Sequence, residues 1–187
     1  MGKLFTAILP EHKAFIEKQR MFFVGTAPLS AEGHVNLSPK GYDVLRILSP
    51  TEVAYLDLTG SGNETSAHVE ENGRITFMFI ALEGPPLILR LYGKGRVILR
   101  GSDEWNHWTP QFEIYPGARQ IIVAELHAVK TSCGFSVPYY AYQGDRDTLK
   151  QWAVQKGEPG LGEYREEKNS VSMDGLVTTI GQQAAKL

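Results

Sequence analysis

The chain is short of the residues that build metal and disulfide frameworks. It has one cysteine, Cys133, which excludes an internal disulfide and any zinc site built on several thiolates. His12, His34, His68, His107 and His127 show no metal-ligand spacing, so no metal is expected. No apolar run approaches the roughly 20 residues of a membrane-spanning helix. The start, MGKLFTAILPEHK, lacks the sustained apolar stretch of a signal peptide, because Pro10, Glu11, His12 and Lys13 cut it off. A cytoplasmic protein is expected. Charge of one sign is not in excess: the net charge is −2 and the pI near 6.2, which argues against nucleic acid as a partner. There is no Gly-x-Ser-x-Gly elbow, internal repeat or low-complexity tract.

What is present suits one well-buried domain: 187 residues, 42% hydrophobic and 21% charged. Pro10 fits the first turn of a helix whose apolar centre is Phe15 and Ile16. Short β-like runs follow at 22–26, 35–38, 44–48, 53–58 and 74–81, with turn signals between several of them. The stretch 87–100 alternates with period two. Leu87, Leu89, Leu91, Gly93, Gly95, Val97 and Leu99 form a packing face, and Arg90, Lys94, Arg96 and Arg100 lie on the other. A further strand is expected at 120–131. Residues 145–156 read as a helix, with Asp145 as cap and Gly157 as terminator. The tail from Gln182 to Leu187 is expected to fray. These patterns predict a mainly β fold, one mostly antiparallel barrel with peripheral α-helices.

The segment most able to carry chemistry is Thr59 to Asn72, TGSGNETSAHVEEN, between two strand-like runs. A glycine-rich turn opening into a short helix can aim backbone N–H groups at an anion. Gly60 and Gly62 permit positive φ, Asn63 suits an N-cap, and Thr65 and Ser66 add hydroxyls. The alternative is a capped surface turn. The segment matches neither a P-loop, which needs a lysine before its final Ser/Thr, nor the dinucleotide fingerprint, whose third glycine is replaced by Thr65. In the strand before it, Asn36, Ser38 and Lys40 alternate and share one side, and Lys40 could neutralise a phosphate. Arg90 and Tyr92 could hold an anion or stack on a ring. Cys133 and the three tryptophans read as packing residues.

In order, the strand Asn36–Lys40, the turn and helix 59–72, and the strand containing Leu91-Tyr-Gly-Lys94 resemble the pyridoxamine 5'-phosphate oxidase-like split barrels that bind flavin mononucleotide (FMN). Ala67-His68 and Glu70-Glu-Asn-Gly-Arg74 belong to the same pattern. Ser132-Cys-Gly-Phe-Ser-Val-Pro138, Lys168-Asn169 and Asp174-Gly175 resemble one branch of the group. The resemblance implies a split β-barrel over 1–140 with a helical extension over 141–187. It also implies a homodimer with FMN in a cleft between subunits. Lys40 and the turn residues Thr59, Ser61, Asn63, Thr65 and Ser66 would hold the phosphate, and Asn36 and Ser38 would approach the ring. Thr65 and Ser66 stand where the true oxidases carry an Arg-Lys pair, a loss for which Arg90 could compensate. The oxidases' C-terminal substrate-binding pattern is missing, so pyridoxamine phosphate is not the expected substrate. Other open readings are a non-catalytic ligand-binding or sensing barrel, holding haem or another group, and a deazaflavin-dependent reductase.

Overall fold

The computed structural model describes residues 2–185. Its centre is an eight-stranded antiparallel sheet. The strands are β1 (Leu4–Phe5), β2 (Phe22–Thr26), β3 (Asn36–Lys40), β4 (Leu45–Ser49), β5 (Glu52–Leu58), β6 (Arg74–Ile80), β7 (Ile88–Leu99) and β8 (Ala118–Ser132). They pair in the order β3-β2-β6-β7-β8-β5-β4, and β1 adds to β8. β3 and β4 are the two ends of that path, as in a barrel that has split rather than closed. The fold is therefore the mainly β split barrel anticipated above. Among the described residues no helix is long and apolar enough to cross a membrane.

The alternation seen in the sequence creates the core. Val24, Phe77, Leu89, Leu91 and Val129 are fully buried, and Phe22 stacks on Phe79 at 5.7 Å. Each such side chain contributes about 1.5–3 kcal/mol of hydrophobic stabilisation. The packing face of β7 holds only as far as Gly93. Beyond it Lys94 and Arg96 are exposed, while Ile98, on the cationic face, is buried. The β7–β8 register shifts between Tyr92 and Gly93. A Cβ at Gly93 would lie 2.5 Å from the Glu125 carbonyl oxygen, so the strands' close approach there requires glycine.

The helices pack around the sheet, α1 (Pro10–Ile16) beside Phe22 and Phe79 and α2 (Glu64–Asn72) beside Thr26 and Gly95. α1 starts at its proline, as expected. α2 ends at Gly73, whose φ of 72° gives a left-handed cap, and Gly73 accepts a bond from Gly95 N that ties the helix to β7. α3 (Asp103–Trp108) is capped by the Ser102 hydroxyl and was not anticipated. The expected stop at Gly157 is present as a non-helical break, and the helix beyond it was not anticipated. α4 runs Thr148–Asn169, broken at Gly157 (φ 63°, ψ 166°) and resuming with Pro159, a residue that suits a first helical turn. Asp147, not Asp145, precedes it, and no side chain caps it. Gln182–Ala184, expected to fray, lie in α5 (Thr179–Ala184), capped by the Thr178 hydroxyl. Ala185 closes the helix as its C-cap, and Lys186 and Leu187 fall outside the described residues.

Candidate functional site

β3 presents its polar residues as strand alternation requires: Asn36, Ser38 and Lys40 are half-buried, and Leu37 and Pro39 are exposed. From Ser38 a line of hydrogen bonds runs inward. Its hydroxyl donates to Asn36 Oδ1 (3.0 Å), and Asn36 Nδ2 donates to Thr65 Oγ1 (3.1 Å) and Thr26 Oγ1 (3.3 Å). The Thr26 hydroxyl lies 3.0 Å from Nδ1 of His68. His68 is wholly buried on α2, and among the described residues its Nε2 has no partner. Burial lowers its pKa, so the ring is neutral near pH 7 and holds one proton on one of its two nitrogens.

Beside this line lies a buried ionic group. Asp57, from the end of β5, accepts from Lys40 Nζ (2.7 Å), Arg119 Nε (2.8 Å) and Gln120 Nε2 (2.8 Å). Burial would raise its carboxyl, but Arg119 and Lys40 outweigh burial and hold it far below the usual carboxylate range. Asp57 is a fixed anion, not a proton acceptor. Two cations share this one carboxylate, which leaves the group net positive. Tyr55 fills the floor, its ring 5.4 Å from Lys40 Nζ. Burial, then Asp57, raises the phenol's pKa, and the hydroxyl lies beside Thr65 without making a well-formed hydrogen bond among the described residues.

The turn at 59–63 uses its side chains internally. Thr59 Oγ1 donates to Gly117 O (2.7 Å) and accepts from Arg165 Nε (2.9 Å). Asn63 does not cap α2: its Nδ2 donates to Asn169 O (3.3 Å), and its Oδ1 accepts from Gln120 (2.7 Å). The Ser66 hydroxyl meets Thr179, and Thr65 meets Asn36. Ser61 is exposed and makes no side-chain bond among the described residues. Neither Gly60 nor Gly62 adopts the positive φ their sequence allows. The backbone amides are the donors left over. Among the described residues, no N–H from Gly60 to Ser66 has an acceptor, and the first intrahelical bond of α2 comes from Ala67 N to Asn63 O.

Comparison with known proteins places this architecture. The model of the pyridoxamine 5'-phosphate oxidase family matches residues 8–133. The chain belongs to the pyridoxamine 5'-phosphate oxidase family. Among its relatives is a pyridoxamine 5'-phosphate oxidase family protein, ustO, of Aspergillus flavus. It is 37% identical over 185 residues, covering 85% of this chain and 70% of that one. Two solved structures share the fold. HupZ of Group A Streptococcus gives a TM-score of 0.51 at 22% identity, covering 65% of this chain and 91% of its own. A Lactobacillus delbrueckii protein named for pyridoxamine 5'-phosphate oxidase gives 0.52 at 14% identity, covering 67% and 94%.

Within this member of the pyridoxamine 5'-phosphate oxidase family, Asn36, Ser38, Lys40, Thr59, Ser61, Asn63, Thr65 and Ser66 all gather at one end of the sheet. Arg90 does not join them. It pairs across from Met78 and Lys130 and donates to Ser132 Oγ (3.2 Å), while the turn abuts the Leu99 end of β7 through Gln120. At about 3.3 Å per residue that separation is roughly 30 Å along the strand. Arg90 therefore cannot stand in for the missing Arg-Lys pair within one chain. Arg119 and Arg165 bond to the turn, and Lys40 reaches the adjacent Asp57. Asp57 and Arg119 were not singled out by the sequence, although a lone acid inside the apolar strand 53–58 was a usable sign. Asn169 was noted only within the Lys168-Asn169 pair of the branch resemblance, with no role attached to it.

Proposed function

We propose that the protein binds FMN at this end of the sheet and acts as a flavin-dependent oxidoreductase on a small molecule. The observation that carries the reading is the run of unpaired amides at Gly60–Ser66 beside a net-positive Lys40–Asp57–Arg119 group, in a chain of this family. Amides at a helix start together with an uncompensated cation suit a phosphate. The donors therefore fit the phosphate end, though with backbone N–H groups in place of the hydroxyls expected at Thr65 and Ser66. Asn36 and Ser38 would face the ring from β3, fixed by their bonds to Thr65 and Thr26.

Bound flavin supplies the hydride chemistry, and the protein supplies position and field. Lys40 sets a positive charge beside the phosphate end, and Asp57 remains ionised. Neutral His68 holds a proton behind Thr26, shielded from water. A homodimer with the ring between subunits is part of the proposal, as is cytoplasmic residence. The test is the absorption spectrum of the purified full-length protein. Flavin bands, with the released chromophore identified by mass as FMN, support the reading. A Soret band would favour a haem-holding barrel, and a released deazaflavin would favour the reductase.

A further inference from the structure

Asn169, at the last position of α4, is wholly buried and uses every polar group it has. Its Nδ2 donates to Gly60 O (2.9 Å) and its Oδ1 accepts from Arg119 Nη1 (2.8 Å). Its carbonyl accepts from Asn63 Nδ2 and from the Thr178 hydroxyl (2.6 Å). Arg119 Nη1 also donates to Gly62 O (2.9 Å). Four residues earlier in α4, Arg165 Nε fixes Thr59 Oγ1 (2.9 Å) at the start of the same turn. The C-terminal segment thus grips the turn at the Gly60 carbonyl, the Thr59 hydroxyl and the Asn63 side chain, and Arg119 of β8 holds the Gly62 carbonyl.

The consequence follows from peptide geometry. In a trans peptide the C=O and N–H point in opposite directions. With the Gly60 and Gly62 carbonyls turned toward Asn169 and Arg119, the N–H groups of Ser61 and Asn63 must point away from them. A turn with two glycines can rotate such peptides at little cost, so its sequence alone does not decide which face carries donors. The grip decides it. We infer that Asn169 and Arg165, with Arg119, are positioning residues that orient the turn's amides toward a phosphate group. The role rests on the flavin reading, with the phosphate of FMN as the anion. Asn169 and Arg165 lie outside residues 8–133, so the family match does not extend to them.

Riboflavin has the ring of FMN but no phosphate, so comparing the two separates phosphate recognition from ring binding. The full-length protein, Asn169→Ala, Arg165→Gln and Arg165→Lys are titrated with each flavin by fluorescence quenching, alongside thermal melts. The expected result is FMN affinity about ten-fold weaker in Asn169→Ala and Arg165→Gln, roughly the loss of one hydrogen bond. Riboflavin affinity should not change, and Arg165→Lys should recover most of the FMN affinity. A merely structural role would lower Tm and leave the FMN-to-riboflavin ratio unchanged, and that outcome overturns the inference alone. Should Asn169→Ala fail to fold, the ratio in Arg165→Gln decides. A wild-type protein that binds neither flavin overturns the flavin reading and this inference with it.

Discussion

Replacing Asp57 with Asn tests the ionic group most severely. The wild-type carboxylate accepts three bonds, and it is the counter-charge of Arg119, whose side chain is only 5% exposed. The substituted amide would be the same size but neutral, and would leave a buried guanidinium without an anion. Breaking a buried pair from one side costs about 3–5 kcal/mol. Against a total stability of about 5–15 kcal/mol, that is a large fraction. For a chain of this length each kcal/mol moves Tm by about 2–4 °C, so a fall of roughly 6–20 °C is expected. Calorimetry and urea titration at pH 7 measure it. The pH dependence adds a second check. A carboxyl depressed in the folded state gives stability that is full above its unfolded value of 3.8 and is lost as pH falls below it. The gap between wild type and Asp57→Asn should therefore be constant from about pH 5 to 7 and shrink below about pH 4. A loss under about 1 kcal/mol at pH 7, the size expected of an exposed pair, would refute the reasoning.

Other changes have defined outcomes. Lys40→Ala should weaken FMN binding in a flavin titration and cost about 1–3 kcal/mol in urea denaturation, because it removes a charged hydrogen bond to Asp57. Unchanged affinity would remove Lys40 from the site. His68, whose pKa burial lowers below the ordinary 6.5, stabilises the fold fully above that value and less as pH falls through it. His68→Gln should flatten the decline in stability between about pH 7 and 5, leaving the part due to His12, which burial also depresses. Gly93→Ala should cost about 1–3 kcal/mol in denaturant titrations, since the added methyl meets the Glu125 carbonyl.

Much of the scaffold was legible because period-two alternation is a local property. Strands β2, β3 and β6 and the inward side of Asn36, Ser38 and Lys40 could be read from their own few residues. What escaped depends on distant pairing. Asp57 meets Arg119 across 62 positions because β5 pairs with β8, and Asn169 meets Gly60 across 109. No local pattern encodes either. Gly157 was read correctly as a stop, and the helix beyond it was missed. A positive-φ glycine normally ends a helix, but here Pro159 starts the next turn and carries Arg165 and Asn169 on to the site. Arg90 had the right chemistry for the missing basic pair and the wrong place, a distinction that only strand register makes.

FMN binding is the claim on which the rest depends, and a thermal shift measures it directly. With FMN at about 100 times its Kd, binding to the folded state alone adds about 2.7 kcal/mol. For a chain of this length that raises Tm by about 5–11 °C. This rise is expected for the full-length protein, and a smaller one for Lys40→Ala. A colourless protein whose Tm does not move with FMN would contradict the claim.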